Sequence, residues 1–497
     1  MSTDDDRPAV IPSAVDPDVE CVRIDAQGVA APPDGGTAAE DTPKLCPDGY
    51  VPRRRSPHGY TLRGKSIVSP GPPLRNPNPA PAQGPSPSSQ LAAAQPISDF
   101  LRAVAATTYD DIRAMPDRKV QSASAFQEMK DYLRERYDRI GAVTSLTETD
   151  GQVIDCIPDE RHPAVQHSGV VLEPPGAQPT PTEYSSSTTE FAPPSDPDGA
   201  GPSPVADRYP RGTLPVYRTT LEQLARFPNL AAFNAKHSAF SGVAAPAAPA
   251  FPKRYATGEQ DVHCLGGSSY VNVWKPFVTP TFQSTFSQHW YAAGLQGTQL
   301  QTVECGWHVD IARYGNAEPH LFVYATRNTY ADADSFYNQE GNVYQPVANP
   351  YVLPGAPLAS SVSGGAQIAY KMGFYLANNA WWFYFADQPV GYIPLNWFQG
   401  GPITSGAERI RFGGEVGSLL PGWPSMGSGQ HAAAGYGKAA YQREAFFNPV
   451  AGGAAYATLS EAGSVTGTCY SVIITNNSGA ADWNTYLYFG GPGGQGC

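Results

Sequence analysis

Beyond about residue 245 the chain is built from short aromatic and β-branched runs. Tyr270–Trp274, His320–Tyr324, Trp381–Phe385, Tyr470–Ile474 and Trp483–Phe489, bounded by Gly, Asn and Pro, each predict a strand. Asn476-Asn477-Ser478-Gly479 lies between the last two and predicts a hairpin-like turn. No long helical pattern interrupts these runs, so the expected class is all-β, an antiparallel β-sandwich over residues 245–497. Upstream the hydrophobic period changes from two to between three and four. Phe126, Met129, Leu133, Tyr137 and Ile140 form one apolar helical stripe, with Ser124 and Gln127 as a capping-box signature at its start. Ile97, Phe100, Leu101, Val104 and Ala105 suggest a second helix, and residues 96–172 read as a small helical and extended module.

Two stretches lack any such period. Pro70–Pro96 holds nine prolines in 27 residues, and residues 1–95 are expected to be disordered because they cannot bury enough apolar surface. Residues 173–244, rich in Pro and Ser, read as a linker and tether. Across all 497 residues, 50 Gly and 50 Pro with only 16% charged residues favour turns and sheets over helical bundles. A formal net charge of -12 argues against a nucleic-acid partner, which calls for a basic surface. No apolar run is long enough to span a membrane. The acidic start, Met1-Ser2-Thr3-Asp4-Asp5-Asp6, shows no secretory signal peptide. The seven cysteines are an odd number, yet Cys469 and Cys497 bracket the last segment like a staple. If bonded, their loop would contribute roughly 3–4 kcal/mol and imply an oxidising compartment. Two independent buried thiols are the other reading.

Candidate chemistry rests on two carboxylates in apolar, glycine-marked surroundings: Glu304 in Thr302-Val303-Glu304-Cys305-Gly306-Trp307, and Glu415 in Phe412-Gly413-Gly414-Glu415-Val416. A charge in such a place is costly unless it is partnered or functional. Strand parity puts Gln301, Val303, Cys305 and Trp307 on one face, mostly core, and Leu300, Thr302, Glu304, Gly306 and His308 on the other, as an open groove would have. The same parity groups Arg411, Gly413 and Glu415, although paired glycines often mark a bulge that breaks it.

In this combination the chain resembles the neprosin-type glutamic peptidases. Val303-Glu304-Cys305-Gly306-Trp307-His308-Val309 is similar to the strand of that family's first catalytic glutamate. Phe412-Gly413-Gly414-Glu415-Val416, followed by Ser425-Met426-Gly427-Ser428-Gly429, is similar to the segment of the second. Trp381-Trp382-Phe383-Tyr384 with Val390-Gly391-Tyr392-Ile393-Pro394, and Asn484 to Gly493 near the end, resemble its aromatic and C-terminal strands. Asp150 to Pro158 with His162-Pro163-Ala164 is similar to the family's activation peptide, and Gly212 to Arg218 to the segment after it. The family's cysteine pair in the segment matching Ser335 to Gln345 is absent, and Cys305 beside Glu304 is unusual.

The resemblance implies an endopeptidase made as a zymogen. It would cut on the carboxyl side of proline at acidic pH, with Glu304 and Glu415 as the catalytic pair and a water between them. Its partners would be a proline-rich peptide or protein substrate and its own N-terminal pro-segment. It needs no cofactor or metal. An extracellular location follows from the resemblance and the cysteine pair. Trp307, Tyr384 and Tyr392 are aromatic candidates for substrate binding, where a pyrrolidine ring can stack. The alternative is a catalytically silent sandwich that binds a glycan or Pro-rich peptide through an aromatic groove. A glycosidase also uses two carboxylates. Other motifs fail in context: Gly491-Pro492-Gly493-Gly494-Gln495-Gly496 fits G-x-G-x-x-G but has no helix after it, and there is no HExxH or paired CxxC.

Overall fold

The computed structural model describes residues 92–162, 172–181, 209–236 and 252–497, apart from short gaps within them, together with three short strands nearer the N-terminus. Those strands, β1 (Val10–Pro12), β2 (Val19–Arg23) and β3 (Tyr50–Arg54), pair into a small antiparallel sheet. The rest of the segment expected to be disordered before residue 92 lies outside the described residues.

The N-terminal module combines helices α1 (Ile97–Ala106), α2 (Tyr109–Arg113) and α3 (Ala123–Tyr137) with a four-stranded sheet. That sheet has the order β4 (Ala92–Ala93), β5 (Thr144–Thr147), β6 (Val153–Pro158), β7 (Thr213–Tyr217). Phe126, Met129, Leu133, Tyr137 and Ile140 are all buried, as the stripe predicts. The cap falls elsewhere: Ser122 accepts from Ala125 N, so the helix starts before the Ser124–Gln127 pair can act as a box. Within the expected linker, β7 is ordered because Thr213–Tyr217 pairs along its whole length with β6. Arg218 next to it forms a buried ion pair with Asp155.

The C-terminal domain is almost entirely antiparallel β. In chain order its strands are β8 (Lys253–Asn272), β9 (Gln283–Ala293), β10 (Gln301–Val309), β11 (His320–Thr326), β12 (Ser335–Tyr337), β13 (Gln345–Pro346), β14 (Ala369–Ala377), β15 (Ala380–Phe385), β16 (Gln388–Pro394) and β17 (Ala407–Ser418). After these come β18 (Gly422–Trp423), β19 (Ala440–Pro449), β20 (Ala455–Tyr456), β21 (Ser460–Ala462), β22 (Ser471–Thr475) and β23 (Tyr486–Gly490).

One sheet with the order β12-β11-β10-β9-β17-β8-β14-β15-β16-β13 curls over itself, because the 20-residue β8 serves two layers. Its first half pairs with β17 and β21; its second half pairs with β14 on one side and β19 on the other. The inward side chains of both layers share one core, which includes Val303, Cys305, Trp307, Phe412, Tyr370, Phe374, Trp381 and Phe383. Polar groups also cross it: His289 Nε2 lies 2.7 Å from Ser269 Oγ, and Tyr291 donates to Gly267 O at 2.6 Å. β22 and β23 form a hairpin, but residues 476–485 make its loop longer than a tight turn, and Gly494–Gln495 after it pairs with β18. The Cys469–Cys497 disulfide forms, with Cα atoms 5.6 Å apart, while Cys156, Cys264 and Cys305 are free and buried.

Candidate active site

The front layer presents a row structure that fixes the site. Antiparallel register sets Gly306, Gln288, Gly413 and Thr257 opposite one another across β10, β9, β17 and β8. On one side of that row lie Glu304, Trp290, Arg411 and Glu259, and on the other His308, Phe286, Glu415 and Tyr255. Paired residues in a ladder share a face, so the two glutamates lie diagonally across Gln288 on the surface facing away from the core. The register of β17 shifts only between Ala407 and Arg409, so no bulge disturbs the parity at Gly413 and Gly414.

Gln288 therefore sits between two glycines. A Cβ at Gly306 would lie 2.1 Å from Ser287 O and 2.6 Å from Gln288 Cα, and one at Gly413, where φ is +136°, would lie 2.4 Å from Ala256 O. Both positions need glycine for close backbone approach, and the result is a bare strip on either side of the glutamine.

Both carboxylates are fully buried and each has its own donors. Glu304 Oε1 accepts from Thr302 Oγ1 at 2.8 Å and from Tyr330 Oη at 2.7 Å. Glu415 Oε2 accepts from Gln288 Nε2 at 2.7 Å, and its Oε1 pairs with Lys253 Nζ at 2.6 Å.

One further group joins them. Lys236, just after the short helix Leu230–Asn234, sends its ammonium to within 2.5 Å of Glu304 Oε2, 2.7 Å of Gln288 Oε1 and 4.0 Å of Glu415 Oε2. The two carboxylate oxygens are thus no farther apart than the sum of the first and last distances. Phe286, Phe322, Tyr324 and Trp290 surround the ammonium, with ring centres at 4.8, 4.9, 5.3 and 5.9 Å. The helix that delivers it is held by Arg313, whose guanidinium donates to Phe233 O and stacks on the Phe233 and Tyr337 rings.

Burial dominates the titration of the neighbours. It pushes the Tyr330 and Tyr255 phenols well above their ordinary value, with the adjacent glutamates adding to the rise. It also holds His308 well below the usual imidazole range, Arg313 reinforcing the shift. Both phenols thus remain proton donors.

The structure brings Glu304 and Glu415 together and leaves the three aromatic candidates elsewhere. Trp307 points into the shared core and donates to Asn272 O at 2.8 Å, as its own parity requires. Tyr384 and Tyr392 face outward from the back layer, beside Trp382 and on the opposite side of β15 and β16 from the core residues Phe383 and Ile393. The rings beside the carboxylates include Tyr330, bonded to Glu304, and Phe286, Trp290, Phe322 and Tyr324 around the Lys236 ammonium. The polar member in the outward set of β9, Gln288, follows a period of two and was readable from sequence; Lys236 and Lys253 carry no local signal.

The site is thus a glycine-flanked trough in an antiparallel two-layer domain, with two carboxylates set on either side of Gln288. Residues 281–492 match the Neprosin family model, and this domain belongs to the neprosin family. Among solved structures, the chain is similar to sheep galectin-11 in complex with glycerol, at 11% identity and TM-score 0.17, covering 34% of this chain and 97% of that one. It is also similar to a β-porphyranase of the human gut bacterium Bacteroides plebeius, at 7% identity and TM-score 0.16, covering 32% of this chain and 53% of that one. At those scores neither likeness bears on the function.

Proposed function

We propose that Glu304 and Glu415 form the acid/base pair of a glutamic endopeptidase, and that the chain is a latent precursor whose own N-terminal segment blocks the pair. The observation that carries this reading is Lys236, a single ammonium held within reach of both carboxylates. An ammonium and a water molecule are similar in size, so the position taken by the lysine is one from which a water could contact Glu304, Glu415 and Gln288 together. When the lysine withdraws, Lys253 stays paired with Glu415, and Glu304 loses its ammonium partner. Close like charges then favour the pair retaining one proton between them.

The chemistry follows from that shared proton. The ionised member takes a proton from the water as its oxygen bonds to the peptide carbonyl carbon. The protonated member gives its proton to the leaving nitrogen as the C–N bond breaks, and the pair ends with one proton, as it began. The bare strip over Gly306 and Gly413 leaves room for an extended substrate backbone. Cleavage after proline belongs to the same reading, motivated by the family and by the rings of Phe322, Tyr324 and Trp290 that offer flat faces to a pyrrolidine. The disulfide suits an oxidising, extracellular setting.

The test is turnover of Pro-containing peptides at acidic pH by the cut protein, with products read by mass spectrometry. Glu304→Gln and Glu415→Gln should each lose a factor of about 10²–10⁴. Full activity in either variant, or binding without turnover in the wild type, overturns the proposal.

A further inference from the structure

The outer face of the back layer carries a second built site, far in topology from the carboxylates. Residues 172–181, Leu-Glu-Pro-Pro-Gly-Ala-Gln-Pro-Thr-Pro, run across it. Leu172 packs with Trp382, Tyr384 and Tyr392. The Leu172 N–H donates to Tyr392 Oη at 2.8 Å, and Tyr384 Oη donates to Gly176 O at 2.9 Å.

Gln178 is read at both ends of its amide. Its Nε2 donates to Asn448 Oδ1 at 2.8 Å and to Phe374 O at 3.3 Å, while its Oε1 accepts from Ser268 Oγ at 2.8 Å. Asn448 then donates through Nδ2 to Pro179 O at 2.7 Å. Gln178 and Asn448 are both buried.

These contacts have the features of sequence recognition. Two tyrosines fix the backbone, an aromatic shelf takes the apolar residue, and a closed polar pocket matches one glutamine amide followed by proline. A side chain lacking that amide would leave Ser268 and Asn448 with unmet partners in a buried pocket, which is how polar sites discriminate. Prolines suit such a strand because fixed φ lowers the entropy lost on docking.

We propose that this back face is a peptide-binding site for extended strands containing proline and a Gln-Pro pair, presented by partner proteins. Residues 172–181 occupy it in this chain. The site is independent of the peptidase reading, since it uses none of the groove residues.

The test uses the full chain with residues 172–179 replaced by a Gly/Ser sequence of equal length, and separately the full chain with Gln178→Ala alone. The probe is a fluorescent peptide of residues 172–181, followed by anisotropy. Both variants should bind it saturably and the wild type, already filled in cis, should not. A probe with alanine at the position of Gln178, or Asn448→Ala in the emptied chain, should weaken binding about tenfold or more. Three results overturn the proposal: no saturable binding by variants that still melt cooperatively, equal binding of the alanine probe, or binding by wild type as tight as by the variants. Pairing of emptied chains with each other in place of the probe, read by light scattering, also overturns it.

Discussion

Lys236→Met keeps an unbranched side chain of similar length in the aromatic surround and deletes only the charge. In the blocked arrangement that ammonium is buried, 2.5 Å from Glu304 Oε2 and 2.7 Å from Gln288 Oε1. Removing one partner of a buried ion pair costs about 3–5 kcal/mol, because the other charge stays buried without it. Here Glu304 would keep only Thr302 and Tyr330 as donors. The loss applies to the closed form alone, since a released Lys236 is solvated. At about 1.4 kcal/mol per tenfold, the closed-to-open ratio should drop by roughly two to three and a half powers of ten. Initial rates on a quenched Pro-containing peptide at acidic pH, measured on chain shown to be uncut, should rise in proportion while the closed form predominates. Lys236→Arg should stay closer to wild type, and Lys236→Met with Glu415→Gln sets the zero. An uncut Lys236→Met protein no faster than uncut wild type, alongside active cut protein, would refute the plug.

Three more outcomes follow from the geometry. Glu340 accepts from Tyr132 Oη and Thr219 Oγ1, each at 2.6 Å, and lies 3.6 Å from buried Arg136, so Glu340→Gln should loosen the N-terminal module by roughly 1.5–3 kcal/mol. Hydrogen exchange in α3 should speed up while the strands around the carboxylates stay protected. Burial lowers the His289 imidazole to about 3, so its stabilising effect is complete above the unfolded value of 6.5 and is lost as pH falls from there towards 3. Calorimetry of His289→Asn should show a shallower fall of Tm across that window than wild type. Gly306→Ala places a Cβ 2.1 Å from Ser287 O, so the strand must shift, at a cost of about 1–3 kcal/mol and with loss of turnover as Gln288 moves. An unchanged Tm would show that the close approach is relaxed in solution.

Local rules were legible where neighbours in sequence decide the outcome. Parity across Leu300 to His308 correctly divides core from groove, because a strand buried on one face cannot slip by one residue without exposing Val303, Cys305 and Trp307. The same parity already places Trp307 inside, so its selection as a substrate contact rested on residue type alone. Tyr384 and Tyr392 are outward-facing, but sequence carries no information on which layer holds β15 and β16. That follows from β8 crossing between layers, a property of pairings far apart in the chain. Pro-rich 173–181 has no apolar period and reads as linker, yet Gln178 and the preceding Leu172 order it by contacts supplied entirely by the domain. Lys236 is an unremarkable lysine until the fold sets two acids around it. The capping residue moved from Ser124 to Ser122 because either serine satisfies the local preference and packing selects one.

The N-terminal chain grips the domain from both sides: Gln178 is seated behind and Lys236 in front. Severing the polypeptide once between Pro181 and Tyr209 leaves each hold intact, and whichever lets go first is returned by the module still anchored through Glu340. Under the latency proposed above, dormancy would be a chelate effect, so wakening should lag behind the first nick and depend on how many holds are open at the same instant.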